Sequence, residues 1–386
     1  MPVDADVIDL LKSLIAIDSV NPGLVPEAGG ERRIAEFLQE RLAAHDFTTR
    51  IVEAEGHPDR PSLLAWTGDV GDGALTVLLN GHLDTVGAGG MEQPFLPRAE
   101  GDHLVGRGTC DMKGGVAGIV VAAETLARTD PDIHVVLALV ADEEDRSLGT
   151  EAVLGALEAE TLRPTVALVA EPTWLDLATS HRGYAVVEIL FEGRAAHSSQ
   201  PADGVNAATH LGRLIVAVES ANAEIADRGG SFMVTVADAG TSPFVIPDRA
   251  RAIVERRTVP GERSEDALAE VERILEKFRQ QDPDVRARAR LLHARTPWQL
   301  ATTGIAATFA DELRRALRAT ERDCGEMTAP YWMESALWQE AGIPTVVCGP
   351  AGGGLHADDE WVSISQVEDF TTALVATIRA LAKDPQ

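Results

Sequence analysis

Lysine is nearly missing from this chain of 386 residues: Lys12, Lys113, Lys277 and Lys383 are the only four. Arginine supplies the rest of the positive charge, which we read as a compositional bias without functional content. Positive charge is short altogether. Lys and Arg number 34 against 61 Asp and Glu, for a net charge of −27. Such a surface repels phosphate backbones and anionic lipid, which argues against nucleic-acid or membrane-surface partners. The three cysteines, Cys110, Cys324 and Cys348, are odd in number and fit no zinc-finger spacing. No apolar run approaches the ~18–20 residues of a membrane span. The amino terminus, Met1-Pro2-Val3-Asp4-Ala5-Asp6, carries acid where a secretory signal needs base. A soluble cytoplasmic protein is the expectation. There is no internal repeat and no low-complexity linker.

What is present is ordinary for a globular chain: 45% hydrophobic and 25% charged residues. The length exceeds the ~250–300 residues at which single cores stop growing, so two domains are expected. Residues 6–17, 30–44 and 115–128 have helical spacing. Short runs dense in Val and Leu at 75–79, 135–140, 166–169 and 345–348 read as strands buried on both faces, the signature of an α/β layer. Between them the pattern changes. Strands at 184–191, 231–237, 249–257 and 285–293 and helices at 204–228 and 264–281 follow the order β-α-β-β-α-β, the split-βαβ pattern of ferredoxin-like domains. The α/β character resumes with a helix near 305–319. The predicted architecture is one α/β domain, residues 1–181 and 295–386, interrupted by an α+β insert at 182–294.

The polar residues gather at strand ends. After the first run comes Asn80-Gly81-His82-Leu83-Asp84, and after the second Ala141-Asp142-Glu143-Glu144-Asp145. The third is followed by Ala170-Glu171-Pro172. The fourth leads into Gly349-Pro350-Ala351-Gly352-Gly353-Gly354-Leu355-His356. Asp111 opens the helix that follows Lys113-Gly114-Gly115. In open α/β sheets ligands bind at the carboxyl ends of strands. Taken singly, each residue could be a helix cap or a solvated loop acid. Together, two imidazoles and several carboxylates on one edge call for a cation, and mixed N/O donors without thiolate suit Zn²⁺, with Mn²⁺ or Co²⁺ as substitutes. Cys110 has no partner and reads as a packing residue. The segment Gly108-Thr109-Cys110-Asp111-Met112-Lys113 lacks Walker spacing, and there is no G-x-S-x-G elbow and no H-E-x-x-H helix.

Five segments together carry a specific resemblance: Gly81-His82-Leu83-Asp84-Thr85-Val86, Arg107 through Gly115, Asp142-Glu143-Glu144, Glu171-Pro172-Thr173 and Leu355-His356-Ala357. Over nearly its whole length the chain resembles the dizinc metallopeptidase family of acetylornithine deacetylase, succinyl-diaminopimelate desuccinylase, aminoacylase and carboxypeptidase G. The resemblance implies a zinc-exopeptidase-like catalytic domain, with the insert as lid and dimerisation domain. It implies two Zn²⁺ per subunit, one on His82 and Glu171, the other on Glu144 and His356, with Asp111 between them. Asp84 matches the acid that orients the metal-binding imidazole, and Glu143 matches the general base.

Within the insert, Ala196-His197-Ser198-Ser199-Gln200-Pro201 followed by Gly204-Val205-Asn206-Ala207 resembles the acetylornithine deacetylase branch. There the histidine, here His197, stabilises the oxyanion from the partner subunit of a homodimer. Glu255-Arg256-Arg257-Thr258-Val259-Pro260 resembles the segment whose arginine, here Arg257, grips the substrate carboxylate. The loop around Gly353 would assist through its backbone N–H groups. Read from the residues alone, Arg257 is a sheet-face arginine paired with Glu255. Two departures stand out: Phe244 precedes Val245-Ile246-Pro247 where the family often has Asn, and Glu334 stands where many relatives have Asp. The reading is a metal-dependent amidohydrolase acting on a small N-acyl amino acid or dipeptide, acetylornithine deacetylase-like. Desuccinylase, aminoacylase and carboxypeptidase or dipeptidase activities are the alternatives within the chemistry, and a metal-free binding relative is the alternative outside it.

Overall fold

Parallel strands buried on both faces call for near-continuous apolar runs, and three here have them: Thr76–His82, His134–Val140 and Val166–Val169 are buried along essentially their whole lengths. In this computed structural model, which describes residues 3–68 and 75–383, they form the centre of a six-stranded sheet. Met1 and Pro2, and positions 69–74 and 384–386 of the expected catalytic domain, lie outside the described residues. The sheet order is Thr48–Ala54, His57–Trp66, His134–Val140, Thr76–His82, Val166–Val169, Thr345–Val347. The last four are mutually parallel, and the first two join as an antiparallel hairpin. Because His82 lies opposite Val140, and Val169 opposite both Asn80 and Val347, four chain segments leave the sheet at one edge.

Helices Arg32–Ala43, Gly114–Thr129, Leu148–Ala159 and Ile305–Ala319 pack on this sheet, and Val3–Ile15 and Ile364–Lys383 pack on Gly114–Thr129. Gly114–Thr129 is buried from Gly114 to Leu126. Its glycines permit that: a Cβ on Gly115 would stand 2.1 Å from the carbonyl oxygen of Ala170, and one on Gly118 would stand 2.7 Å from the Phe370 ring. Val116, Leu79, Leu137, Leu168 and Phe370 belong to one continuous core. The hairpin of Thr48–Ala54 and His57–Trp66 has no counterpart among the expected elements, since Pro58 and Pro61 interrupt the strand pattern of its second half. The prolines are tolerated because only Leu63 to Trp66 pair with the central strand, while Pro61 faces the outer strand alone.

The chain divides into two units, the second being Ser180–Gln299 with Thr328–Trp332. That unit is an antiparallel sheet in the order Ser231–Ala239, Arg249–Thr258, Gly183–Glu192, Arg286–Arg295, with helices Ala207–Ala226 and Asp266–Gln281 on one face. Alternate residues Ala185, Val187, Ile189 and Phe191 are buried in one cluster with Leu211, Leu214, Val218, Val271 and Leu275. The opposite face is charged, with Glu188 accepting from Arg251 at 2.8 Å and from Arg290 at 2.9 Å. Asn206 caps the long helix by accepting from the Ala208 amide at 3.0 Å.

Candidate metal centre

His82 ends its strand almost fully buried. Its Nδ1 lies 2.9 Å from the main-chain carbonyl of Asp84, an acceptor only, so Nδ1 carries a hydrogen and Nε2 is the nitrogen turned to the carboxylates. Nε2 is 3.0 Å from Asp111 Oδ1. The other oxygen, Asp111 Oδ2, is 3.3 Å from His356 Nε2, which is also 3.1 Å from Glu144 Oε2. Asp111 therefore stands between the two imidazoles, one oxygen toward each. Ligand-capable atoms of His82, Asp111 and Glu144 lie within 4.8 Å of one another, and so do those of His82, Glu143 and Glu171.

The loops that present these groups are tied by Glu360, which sequence reasoning missed. It is buried, accepting from the amides of Gly108 and Cys110 at 2.9 Å each and of Asp111 at 3.1 Å. Arg107 donates to Glu360 at 2.7 Å and to the Ala357 carbonyl at 2.9 Å, joining the Asp111 loop to the His356 loop. In the run Asp358-Asp359-Glu360 nothing sets the third acid apart from solvated neighbours. The only signal was the arginine within the Arg107 motif.

The electrostatics are those of a site that needs positive charge. Burial pushes the Glu171 carboxyl well up, and the charge of Asp111 pushes it further. Burial, then Glu171, does the same to Glu143, and burial, then Asp111, raises Glu144. Burial raises Asp111 too, but hydrogen bonds from His356 and His82 outweigh it and hold that carboxyl low. Hydrogen bonds to Asp111 and Glu144 push His356 up to about 10. Burial lowers His82, yet its bond to Asp111 and the charge of Glu171 raise it well above the usual imidazole range. Oε1 of Glu144 is buried with no hydrogen-bond partner among the described residues. Two imidazoles and four carboxylates sharing protons, His82 and Glu171 buried, Asp111, Glu143 and Glu144 half-buried and His356 exposed, suit divalent cations with mixed N/O preference, so the donor set fits a two-metal centre.

Asp84 sits differently from the expectation. Its carboxylate Oδ1 is 3.7 Å from His82 Nδ1, too far for a hydrogen bond. The ring is oriented instead by the main-chain carbonyl of Asp84. The carboxylate is used on the next loop, accepting from the amides of Glu143 at 3.1 Å and Glu144 at 3.2 Å. Gly353 pairs with Trp361 across a short strand, where a Cβ would lie 2.8 Å from the indole nitrogen.

His197 and Arg257 belong to the second unit. The His197 ring is exposed, and its Nδ1 accepts from the Ser199 amide at 3.2 Å, which leaves the hydrogen on Nε2. Arg257 pairs with Glu255 at 2.6 Å and lies 5.3 Å from the centre of the Tyr184 ring. Phe244 is 68% exposed.

Residues 78–380 match the sequence profile of peptidase family M20/M25/M40. The chain is 27% identical to an acetylornithine deacetylase of Myxococcus xanthus, over 90% of this chain and 91% of that one. It is 28% identical to a succinyl-diaminopimelate desuccinylase of Sphingopyxis alaskensis, over 96% and 97%. In fold it is similar to a tripeptidase of Staphylococcus aureus, with a TM-score of 0.79 at 16% identity over 99% of each chain. It is also similar to a dinuclear metal-binding peptidase of Bacillus subtilis, with a TM-score of 0.72 at 16% identity over 98% of each. With the profile spanning most of the chain and a partly buried N/O donor cluster at the carboxyl edge of the sheet, the chain belongs to peptidase family M20/M25/M40 and is a metal-dependent hydrolase.

Proposed function

We propose that this enzyme hydrolyses the amide of a small N-acyl amino acid, releasing a carboxylate and a free amine, in the manner of an acetylornithine deacetylase. The observation that carries the reading is the division of labour between neighbouring glutamates. Glu144 meets His356, while Glu143 lies among His82 and Glu171 with its amide held by Asp84. His82 and Glu171 would hold one Zn²⁺, Glu144 and His356 the other, with Asp111 shared. Such a pair of cations supplies Lewis acidity to the scissile carbonyl and to water. Glu143 takes the proton of the attacking water and delivers it to the leaving amine. His197, whose hydrogen is on Nε2, donates to the developing oxyanion from a second copy of the chain. A homodimer is favoured by the exposed Ile215, Val216, Met233 and Val236 on the long helix and edge strand of the second unit. Arg257 would exchange its bond with Glu255 for the substrate carboxylate, aided by amides of the Gly353 loop.

The acetylornithine deacetylase and the desuccinylase it resembles are nearly equally similar, so the acyl group is the point to test. N-acetyl amino acids, N-succinyl amino acids and dipeptides are offered to protein loaded with Zn²⁺, Co²⁺ or Mn²⁺, beside N-acetyl amides lacking the carboxylate. N-acetyl amino acids should turn over fastest, and removing the carboxylate should raise KM strongly. Preference for succinyl substrates or dipeptides would move the reading within the family. Equal rates with and without the carboxylate would remove Arg257 from it, and no hydrolysis with any metal would overturn it.

A further inference from the structure

Five polar residues, none more than 3% exposed, form a continuous chain beneath the catalytic loop: Glu31, Arg60, Asp142, Asn21 and Asp84. Arg60 donates through Nε to Glu31 at 3.0 Å and through Nη2 at 2.5 Å, and its Nη1 lies 2.8 Å from Asp142 Oδ1. Glu31 also accepts from the Asp142 amide at 3.2 Å. The side-chain amide of Asn21 donates to Asp84 at 2.7 Å and to Asp142 at 3.2 Å. It is itself fixed by the Gly23 amide at 2.8 Å and, through its backbone, by the Thr85 carbonyl at 2.9 Å.

Two features make this more than core filling. First, Asp142 has φ +69°, a left-handed conformation that a residue with a Cβ holds only when its surroundings impose it. It begins the turn carrying Glu143 and Glu144, and it is held from both sides, by Arg60 at its carboxylate and Glu31 at its amide. Second, Asp84 and Asp142 are buried carboxylates that would repel. One NH₂ group, with a proton for each, stands between them, and no other residue type of that size offers two donors and an acceptor.

We propose that Asn21 and Arg60 are positioning residues. They fix the main chain from which Glu143 and Glu144 project, and so set both the hold on the cation at the Glu144 side and the rate at which Glu143 moves its proton. The inference rests on the metal-hydrolase reading above. Partners behind metal ligands typically change affinity or activity ~10–100-fold when removed.

The test compares wild type with Asn21→Leu, close in volume but without donors, and Arg60→Lys, which keeps the charge but cannot serve Glu31 and Asp142 together. Calorimetric titration of the metal-free proteins with Zn²⁺, absorption spectra with Co²⁺, and steady-state kinetics are measured on folded material. Both variants should bind one cation as tightly as wild type and the second ~10–100-fold more weakly, with a changed Co²⁺ spectrum. At saturating metal, kcat should fall by a similar factor with KM little changed. If Asn21→Leu does not fold, Arg60→Lys carries the test alone. Variants that bind both cations as tightly as wild type, with unchanged kcat and only a lower melting temperature, would overturn the positioning role and leave the site reading intact. A wild type that binds no divalent cation would overturn both.

Discussion

Replacing Glu143 by Gln separates the proposed base from the proposed ligands. Glutamine keeps the shape of the side chain, and the main chain there is held by the bond from the Glu143 amide to Asp84 at 3.1 Å, which does not involve the side chain. The geometry of Glu144, Asp111 and His82 should therefore survive. What is lost is a proton acceptor. General acid–base catalysis contributes ~10²–10⁴ in rate, or about 3–5 kcal/mol at 1.36 kcal/mol per decade. Turnover by Glu143→Gln should fall by that factor while KM stays near the wild-type value and two cations per chain are retained, as read by elemental analysis. Burial and Glu171 hold the Glu143 carboxyl well above its ordinary range. A carboxyl raised in the folded state contributes stability only while protonated, and that contribution is lost as the pH rises through its folded pKa. Glutamine cannot ionise, so the metal-free variant should melt no lower than wild type at pH 8. A variant that loses a cation would show that Glu143 is a ligand, and one that keeps its turnover would remove it from the chemistry.

Glu334, buried beside Asn80, has its carboxyl pushed by burial from 4.5 to about 7. Its contribution to the metal-free protein is full below pH 4.5 and is lost as pH rises through 7, by at most about 3 kcal/mol. Urea midpoints of Glu334→Gln should therefore match wild type near pH 4.5 and exceed it at pH 8, and parallel curves would refute the assignment. Gly115→Ala drives a methyl to 2.1 Å from the Ala170 carbonyl, next to Glu171. It should cost ~1–3 kcal/mol in thermal or urea unfolding and weaken cation binding. Gly155→Ala, a helical site with nothing within 4 Å, should be neutral or gain ~0.5–1 kcal/mol, and equal losses at both sites would refute the packing argument.

The fold was legible where burial is uniform. A strand covered on both faces has no freedom in composition, so the apolar runs ending in His82, Asp142 and Glu171 announced themselves, and parallel pairing then brought those ends to one edge. The strand expected at 184–191 lies within Gly183–Glu192, where Ala185, Val187, Ile189 and Phe191 are buried and the residues between them are partly wet. The hairpin at Thr48–Trp66 was not legible, since its outer strand has a mostly polar face and its inner strand begins with two prolines. Both peculiarities belong to a sheet margin, where one side makes no ladder.

The site divides in the same way, and the division has a physical source. A ligand at a strand end is marked by the strand before it. A residue that holds the ligand's loop is marked only by its partner, which lies far off in sequence. Glu360 finds Arg107 across 253 positions and Asn21 finds Asp142 across 121. In a chain with 61 acids, a buried carboxylate such as Glu31 or Glu360 has the same local pattern as a solvated one. Asp84 shows the limit most clearly. Its spacing from His82 placed it beside the imidazole, but spacing does not say which oxygen faces the ring, and folding gave that bond to the main-chain carbonyl. The freed carboxylate then became the acceptor that holds the amides of Glu143 and Glu144 in place. His82 and the loop of Glu143 and Glu144 thus share one residue as their support, so a disturbance at Asp84 reaches the proposed metal ligand and the proposed base together.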